Sequence, residues 1–494
     1  MRENFFIQGI RYVFTLDLRA LALLRISLSV LLLLDLIFRL ADLKAFYTSE
    51  GVLPADALFR FQWNTWYFSL FTSNDNGAIT SLLFLGYFIC ICCLLLGFRT
   101  KLFTFIVWMC LISLHNRTPL VTQAGDHLLR MLIFWGMFLP WGNFLSLDAS
   151  TKRRSAASQP YAYESFACLA YTCQVVFLYF FSAILKNSPE WRSEFTAIYY
   201  ALSLDQLVRP VGEWLYPHTS LLKAMTAGVY YVELVLPLLL FLPFFNSWCR
   251  LAVIVGTVSL QLGIFATLNA GLFTATSILM MVGLLPPSTM DKIWPWLSIR
   301  AGSAIAMANR LLPSYAIFRG KTFISRNYSI FSESVVALAL VYVLAWNMGT
   351  IGKKVIPDKL LWIGYFFKLE QHWAMFAPTV YKNDGWFIYQ GTNGQGRYID
   401  ILREGRPVNY EKPKRVAELV RNDRWRKYGE NILMQSNAPL RPYMCDFLLK
   451  EWNSSQPQQA ITHLKIIYMH ELTLPNYQTA PLERWELCTC STNP

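Results

Sequence analysis

Long apolar segments recur along this chain, and they constrain its fold more than any other feature. Most are about 17 to 25 residues long, the length that crosses a bilayer as a helix. The candidate spans are residues 20–40, 78–97, 102–116, 128–147, 163–185, 222–245, 251–268, 270–287 and 334–351. One of them is short and two are nearly fused, so a count that differs by one is also compatible. With 54% hydrophobic and 15% charged residues, the sequence predicts a polytopic α-helical membrane protein with about nine transmembrane helices.

The charges between these spans predict the orientation of the chain. The N-terminal stretch lacks the short apolar core and small-residue cleavage site of a signal peptide, so we expect the first span to be an uncleaved anchor. With a cytoplasmic N-terminus, most lysines and arginines of the loops lie on the cytoplasmic side, as is usual in membrane proteins. An odd number of spans then places the C-terminal residues outside the plasma or inner membrane.

Composition divides the chain into four parts. We predict a transmembrane bundle at 1–290, a cytoplasmic amphipathic segment and linker at 291–333, a last transmembrane helix at 334–351, and an outer-face domain, periplasmic or extracellular, at 352–494. The formal net charge of +13 lies largely in the cytoplasmic loops. It therefore indicates a lipid bilayer with anionic headgroups as the partner, and no nucleic acid.

The outer-face domain has the sequence pattern of a small, mostly antiparallel α+β module. A turn at 391–396 between two strand-like runs predicts a hairpin, residues 413–429 predict a charged helix, and residues 463–473 predict a late strand. Cysteines 445, 488 and 490 lie in this domain. In an oxidising compartment Cys445 can pair with either Cys488 or Cys490, which leaves one thiol over.

An apolar run that ends in a single lysine, Lys186, is the main candidate for chemistry. Burial at the edge of a hydrocarbon phase makes the free amine, a usable base, more accessible. A lysine that only marks the water interface by snorkelling is the alternative interpretation. Residues 187–220 are too apolar to be fully solvated, so we predict a pair of short helices broken at Pro210 that covers Lys186.

Other ionisable residues also lie inside or beside the spans. Asp126 and His127 open the fourth span, where Asp126 can cap the helix. Glu233 lies within the sixth span, and Asp35 and Arg39 can pair at i, i+4 in the first. For each of these residues a purely structural role is the alternative. Histidine spacing matches no zinc site, and no nucleotide-binding or nucleophile motif is present.

Several of these motifs together resemble the horizontally transferred transmembrane (HTTM) family, which includes the vitamin K-dependent gamma-carboxylase. The resemblance covers roughly residues 15–290. It rests on Leu24-Arg25 with Asp35, Tyr47 before Gly51-Val-Leu-Pro54, Gly125-Asp126-His127, and Phe181-Ser-Ala-Ile-Leu-Lys186 followed by Trp191. Glu233 and Asn269-Ala-Gly-Leu-Phe273 are similar to the family pattern as well.

The resemblance implies a function and a set of site residues. Lys186 would be the catalytic base and His127 would lie at the same site, while Glu233, Asn269 and Trp191 would help to bind the quinol. The cofactor would be a reduced, vitamin K hydroquinone-like quinone, with O2 and CO2 as co-substrates and no metal. Oxidation of the quinol to an epoxide would generate the strong base that carboxylates glutamate in a secreted protein or peptide, so the enzyme would be a lyase and quinol epoxidase.

Two departures from the family keep a second function open. Ala266 stands where we expect a family histidine, and the C-terminal domain is similar to the short tail of prokaryotic HTTM proteins through Gln371-His-Trp373-Ala-Met-Phe-Ala-Pro378. The resemblance is therefore carried by the membrane body, and it does not extend to the large peptide-binding portion of the carboxylase. The alternative is a non-enzymatic accessory factor for export, maturation or immunity, in which Lys186 only anchors its helix. A transporter would show internal repeats, which we do not find.

Overall fold

The structure is a computed structural model that describes residues 5–61, 64–72, 77–151, 161–300 and 330–492. Its α-helices are α1 (Phe5–Val13), α2 (Leu18–Ala41), α3 (Leu43–Tyr47), α4 (Ala55–Phe61), α5 (Gly77–Leu96), α6 (Thr100–Arg117), α7 (Ala124–Gly136), α8 (Leu147–Thr151), α9 (Phe166–Leu185), α10 (Pro189–Arg192), α11 (Ala197–Leu202), α12 (Pro210–Leu215), α13 (Thr219–Val235), α14 (Asn246–Thr267), α15 (Leu272–Val282), α16 (Pro287–Arg300), α17 (Ile330–Thr350), α18 (Leu361–Phe367), α19 (Asp423–Leu433) and α20 (Arg441–Ser455).

Strands and 3-10 turns complete the secondary structure. The strands are β1 (Thr15–Asp17), β2 (Ala162–Glu164), β3 (Asn383–Asn393), β4 (Tyr398–Asp400), β5 (Arg406–Pro407), β6 (Ile461–Leu472) and β7 (Glu483–Ser491). The 3-10 turns are Leu70–Thr72, Pro119–Val121, Leu236–Phe241, Asp358–Leu360, Ile401–Arg403, Val416–Leu419, Gln435–Leu440 and Pro457–Gln459.

The helices that carry the membrane character pack as one bundle. Within the described residues, those long and apolar enough to cross a membrane are Leu18–Ala41, Gly77–Leu96, Phe166–Leu185, Thr219–Phe241, Asn246–Thr267 and Ile330–Thr350. Helix α2 packs against α5 and α15, and α9 packs against α13 and α17. The predicted class, a helical membrane protein with a small strand-rich C-terminal region, agrees with this architecture.

The predicted count of nine spans is not confirmed, because three of the predicted spans, at 102–116, 128–147 and 270–287, form no helix that is by itself long and apolar enough to cross a membrane. In the span predicted at 128–147, helix α7 ends at Gly136, where Pro140 breaks the run and the buried Trp141 packs on Gly136. In the span predicted at 270–287, α15 ends at Val282 and α16 turns away by 103°. The structure thus has six such helices among the described residues, or seven if the bent pair counts as one.

Most of the predicted cytoplasmic segment at 291–333 lies outside the described residues, since 301–329 are not among them. Its beginning belongs to α16. The loop after α9, residues 187–220, is called the outer loop below. It has the predicted short helices, but there are three of them, α10, α11 and α12. Pro210 opens α12 at its first position, where a missing N–H costs nothing.

The C-terminal module is built on a five-stranded antiparallel sheet in the order β5-β4-β3-β6-β7. The predicted hairpin corresponds to β3 and β4, and the predicted late strand to β6. The charged helix predicted at 413–429 is only partly present: residues 413–422 hold loop and the 3-10 turn Val416–Leu419, and α19 begins at Asp423, where the Asn422 side chain caps it by accepting from the N–H groups of Arg424 and Trp425. A disulfide joins Cys445 on α20 to Cys490 on β7.

The module shares its core with the bundle. The Trp425 ring lies 4.8 Å from the Phe46 ring, centroid to centroid, and its indole N–H donates to Asp42 at 2.9 Å. Residues 368–376, between α18 and β3, lie among the helices. There Arg130 donates to the Lys368 carbonyl at 2.9 Å, and the amide groups of Gln174 and Gln371 bond reciprocally at 3.1 Å. The C-terminal chain therefore contributes to the interior of the bundle.

Candidate functional site

Lys186 lies where helix α9 stops. Its backbone N–H still bonds to the carbonyl of Ala183 at 3.2 Å, but Pro189 starts the next helix after a break. The residue that ends the long apolar helix is therefore held in a non-helical position that starts the outer loop. This turn decides where the amino group of the lysine can reach.

The Lys186 amino group turns back into the bundle. Its Nζ donates to Ser182 Oγ at 3.0 Å and to the carboxylate of Glu233 on α13, and it lies 4.8 Å from the centre of the Trp191 ring. Lys186 is 2% exposed and Glu233 is 7% exposed. A snorkelling lysine would expose its ammonium, so that interpretation does not describe this residue. The carboxylate balances a charge that water does not solvate.

The outer loop covers this pair, as predicted. Trp191, on α10, is buried and its indole N–H donates to the carbonyl of Phe376 at 2.8 Å. The Arg192 guanidinium donates to the Lys186 carbonyl at 3.0 Å. The loop and the 368–376 segment are thus joined above the amino group. Excluding water in this way strengthens electrostatic interactions beneath the cover.

A second polar group is formed by Tyr179, which lies about two helical turns before Lys186 on α9, and by Gln261 on α14. Gln261 is buried, and its amide nitrogen donates to the Tyr179 hydroxyl at 3.1 Å. The amide oxygen of Gln261 has no hydrogen-bond partner among the described residues. A buried acceptor without a donor is uncommon in folded proteins. It marks a place where a hydroxyl group of a bound molecule could donate.

His127 does not contact Lys186. In the part of the chain that the structure describes, the side-chain partners of Lys186 are Ser182, Glu233 and Trp191, and His127 is not among them. His127 lies half-buried in the first turn of α7, with its N–H bonded to the Gln123 carbonyl. The predicted association of the two residues at one site stays a prediction.

Asn269 fixes the outer loop to the turn between α14 and α15. Its N–H donates to the Leu207 carbonyl at 2.7 Å, and its side-chain oxygen accepts from Arg209 at 3.4 Å. Gly271 follows with a φ of 57°, and a Cβ there would lie 1.9 Å from an Asp423 carboxylate oxygen. Only glycine suits that contact. Asn269 thus has loop contacts instead of a contact with Lys186.

A charge network around Asp126 is the feature that sequence reasoning only partly found. The predicted Asp35–Arg39 pair is present at 2.7 Å, and the predicted cap is a full capping box between Asp126 and Gln123. In addition, Asp126 accepts from Arg39 at 2.7 Å and from Arg424 at 3.1 Å. Arg424 also pairs with Asp35. Nothing in the spacing along the chain indicates a partner 298 residues away.

A titratable carboxyl lies outside the long apolar helices, where the loop after α9 meets the sheet. Asp384, on β3, accepts from the N–H of Asp205 and, at 3.4 Å, from the Gln206 side chain. Burial and the nearby Asp205 carboxylate raise the pKa of Asp384 to about 7. Lys412 acts on Asp384 only from a distance, because it pairs with Asp205 at 2.5 Å and with Glu471 at 2.8 Å. Among the described residues no ion pair of Asp384 itself is found.

No metal centre accompanies these groups, since no cluster of three or more histidine, cysteine or acidic residues that could hold a metal occurs in the described ranges. Comparison of the chain with family models, with curated proteins and with solved structures finds no match. Membership of the HTTM family therefore remains a prediction that rests on the motifs quoted above.

Proposed function

We propose that this protein is a membrane-embedded enzyme that acts on a lipid-soluble quinol, with Lys186 and Glu233 as its proton-transfer pair. The observation that carries the proposal is the Lys186 amino group, enclosed between Ser182, Glu233 and the Trp191 ring. Ionisable residues buried in membrane helices are retained mainly where they serve a function. A quinol reaches such a site through the bilayer.

The pair supplies a base only after a proton moves. Transfer of a proton from Lys186 Nζ to the Glu233 carboxylate leaves a neutral amine and a neutral acid, and neither is then an unbalanced buried charge. The amine can accept a proton from a hydroxyl group of the substrate, while Ser182 holds the amino group in place. Trp191 and the outer loop limit access of water, which would otherwise quench the base.

The residues around the pair fit a molecule with hydroxyl groups. The unpartnered Gln261 oxygen is an acceptor, the Tyr179 hydroxyl can donate or accept, and Trp191 offers an aromatic face. A bound reduced quinone would supply the electrons that O2 takes up, and this oxidation would drive carboxylation with CO2. His127 and Asn269 contact other residues, so their proposed part is to shape the site from α7 and from the turn between α14 and α15.

The proposed setting is the plasma or inner membrane, with the N-terminus cytoplasmic and the C-terminal module outside. Nine crossings remain part of this proposal, and they require α6, α7 and the bent pair α15–α16 to count as spans besides the six long apolar helices. The bilayer is then a partner together with the quinol, and a secreted protein or peptide is the proposed carboxyl acceptor.

The second candidate is a non-enzymatic accessory factor. It is favoured by the completeness of the ion pair, since a lysine that is fully compensated by Glu233 can serve to join α9 and α13 and nothing else. It is also favoured by the way the C-terminal module is fixed to the bundle through Arg424. A fixed module on the outer face is a suitable surface for a protein partner.

Epoxide formation from a reduced naphthoquinone decides between the two. We would assay purified protein in nanodiscs with O2, and compare wild type with Lys186→Ala and with Lys223→Ala. Lys223 is an exposed lysine on α13 and serves as the matched control. The proposal expects product from wild type and Lys223→Ala and a loss of at least about 100-fold in Lys186→Ala, as for loss of a general base. Equal turnover in all three would contradict the assignment of Lys186. No product from folded wild type with several quinols would favour the accessory factor.

A further inference from the structure

A groove lies at the C-terminal end of α17, where this apolar helix is followed by charged chain. Its lining includes Trp346 in the last turns of α17, Lys354 and Ile356 in the following loop, and Tyr365 on α18. The groove has a volume of about 230 Å³, which is more than the ~150 Å³ of a cavity that binds benzene. It therefore has room for a segment of a lipid molecule.

The groove is preformed, because α18 is fixed to the end of α17. The N–H of Gly364 donates to the Tyr342 hydroxyl at 2.8 Å, and this hydroxyl donates to the Leu360 carbonyl at 3.0 Å. A Cβ at residue 364 would lie 2.4 Å from the Trp346 ring, so only glycine lets α18 lie this close. The rings of Trp346 and Tyr365 meet edge to face, with 5.3 Å between their centres. A surface that is already ordered costs little to organise on binding.

The floor of the groove continues the apolar face of α17. Leu338, Val341, Ala345 and Gly349 follow one another at intervals of three or four residues, so they lie on one side of the helix. Leu338 is 71% exposed and Val341 is 63% exposed. Gly349 belongs to the groove lining, and a Cβ there would meet no atom within 4 Å. On a helix that is long and apolar enough to cross a membrane, an exposed apolar face of this kind is suited to acyl chains.

The chain just beyond α17 is positively charged. Residues 351–360 hold three lysines and one aspartate, a net charge of +2, against a partial charge of about −0.5 at the C-terminal end of a helix. Lys354 lies in the groove lining, and both partners of its 2.7 Å pair with Asp358 are exposed. An exposed pair contributes little stability. Lys354 can therefore turn to an anion at the mouth of the groove.

We propose that this groove binds an anionic phospholipid, with the phosphate at Lys354 and part of an acyl chain against Trp346 and Tyr365. A cation beside an apolar, aromatic wall matches the boundary between headgroup and acyl chains in a bilayer. The described residues that line the groove do not include Ser182, Glu233 or Trp191, the side chains that contact Lys186. Failure of the quinol proposal would therefore leave this one intact.

The test uses the full chain, labelled with 5-fluorotryptophan, in phosphatidylcholine nanodiscs with increasing fractions of phosphatidylglycerol. The fluorine signal of Trp346 is identified by its loss in Trp346→Phe. We expect phosphatidylglycerol to shift this signal with saturation. Lys354→Gln should raise the fraction needed for half-saturation about fivefold, since it removes one lysine charge near the headgroup. Lys223→Gln, at an exposed lysine on α13 outside the lining, should leave that fraction unchanged.

Two glycine variants separate the groove from the general charge of the bilayer. Gly349→Leu fills open space in the lining and should abolish the saturable shift. Gly228→Leu, on α13, also enters open space but lies outside the lining, so it should respond as wild type does. Glycerol 3-phosphate, added to nanodiscs of phosphatidylcholine alone, should cause no comparable shift, because it brings a phosphate without an acyl chain.

Absence of a shift, or a shift that rises without saturation as a bulk effect of surface charge would, would overturn the proposal. So would a wild-type response in Gly349→Leu or in Lys354→Gln, or an equal response to glycerol 3-phosphate. If Trp346→Phe does not fold, the rise in the unfolding temperature with phosphatidylglycerol, compared between Gly349→Leu and Gly228→Leu, gives the same answer.

Discussion

The Lys186–Glu233 pair and the network around Asp126 are both buried charge clusters, but they differ in how many partners each charge has. Lys186 meets one carboxylate, one hydroxyl and one aromatic ring. Asp126 is bonded to two guanidinium groups and to the N–H of Gln123. The pair joins two helices that pack side by side, whereas the network joins α2, α7 and α19.

This difference separates a site that can change its protonation from one that cannot easily do so. A proton shift within the pair leaves both partners neutral. In the network, protonating Asp126 would leave two guanidinium groups with less compensation. The network is therefore suited to hold the C-terminal module on the bundle, and the pair is suited to chemistry.

The largest expected effect comes from breaking the network. Arg424→Met leaves Asp35 and Asp126 with Arg39 as their remaining arginine, in a place that excludes water. We expect the free energy of unfolding in detergent to fall by about 4–5 kcal/mol, the upper end for an uncompensated buried charge.

Arg415→Met is the control for that measurement, because Arg415 is exposed and pairs with Glu213 at the surface at 3.5 Å. It should cost less than about 1 kcal/mol. Similar losses in the two variants would mean that the network adds nothing beyond an ordinary surface ion pair.

The network also shows what the sequence could and could not predict. Asp35 and Arg39 share one helix face, so their contact follows from the i, i+4 spacing, and the cap at Asp126 follows from its position before an apolar run. Arg424 belongs to a stretch that reads as a charged surface helix. Only the packing of the module on the bundle shows that this guanidinium is buried.

The same distinction holds near Lys186: features within one segment could be predicted, and contacts between distant segments could not. The end of α9 and the covering loop were predictable from the apolar run, Lys186 and the prolines beyond it. The Glu233 pairing was not, because two helices can meet in many rotational settings. The segment at 368–376 was missed as part of the bundle because Gln371 and its polar neighbours read as soluble chain. Gln371 can be buried there because its side-chain amide bonds to the side chains of Gln174, Asn347 and Trp373.

Breaking the Lys186–Glu233 pair should lower the free energy of unfolding less than breaking the network does. A second substitution, at Glu233, should restore most of that loss. Lys186→Met leaves one buried carboxylate, and we expect a loss of about 3 kcal/mol in the free energy of unfolding. Adding Glu233→Gln removes that charge as well. Because the pair is isolated, the double variant should recover most of the loss, measured in the same detergent titration. A double variant as unstable as the single one would show that further charged partners depend on Lys186.

The smallest expected effect is a pH dependence from Asp384, which contrasts with both clusters because it forms no ion pair within the described part of the chain. Burial and Asp205 raise the pKa of Asp384 in the folded chain to about 7, against about 3.9 when unfolded. A carboxyl of this kind stabilises the fold only while it is protonated. Its contribution is therefore present at low pH and is lost as the pH rises from about 4 to about 7.

Between pH 5 and pH 7 this group should lower the free energy of unfolding by about 2 kcal/mol. Asp384→Asn keeps an acceptor for the Asp205 N–H but cannot ionise, so the variant should lack that decline and be more stable than wild type at pH 8. Asp358→Asn, at an exposed carboxylate that pairs with Lys354, should follow the wild-type curve. The difference between wild type and Asp384→Asn, measured across this range, isolates Asp384 from the other titrating groups. A difference that grows toward low pH with Asp384→Asn the more stable would contradict the prediction, because it would mean that the Asp205 N–H and Lys412 hold this carboxylate ionised.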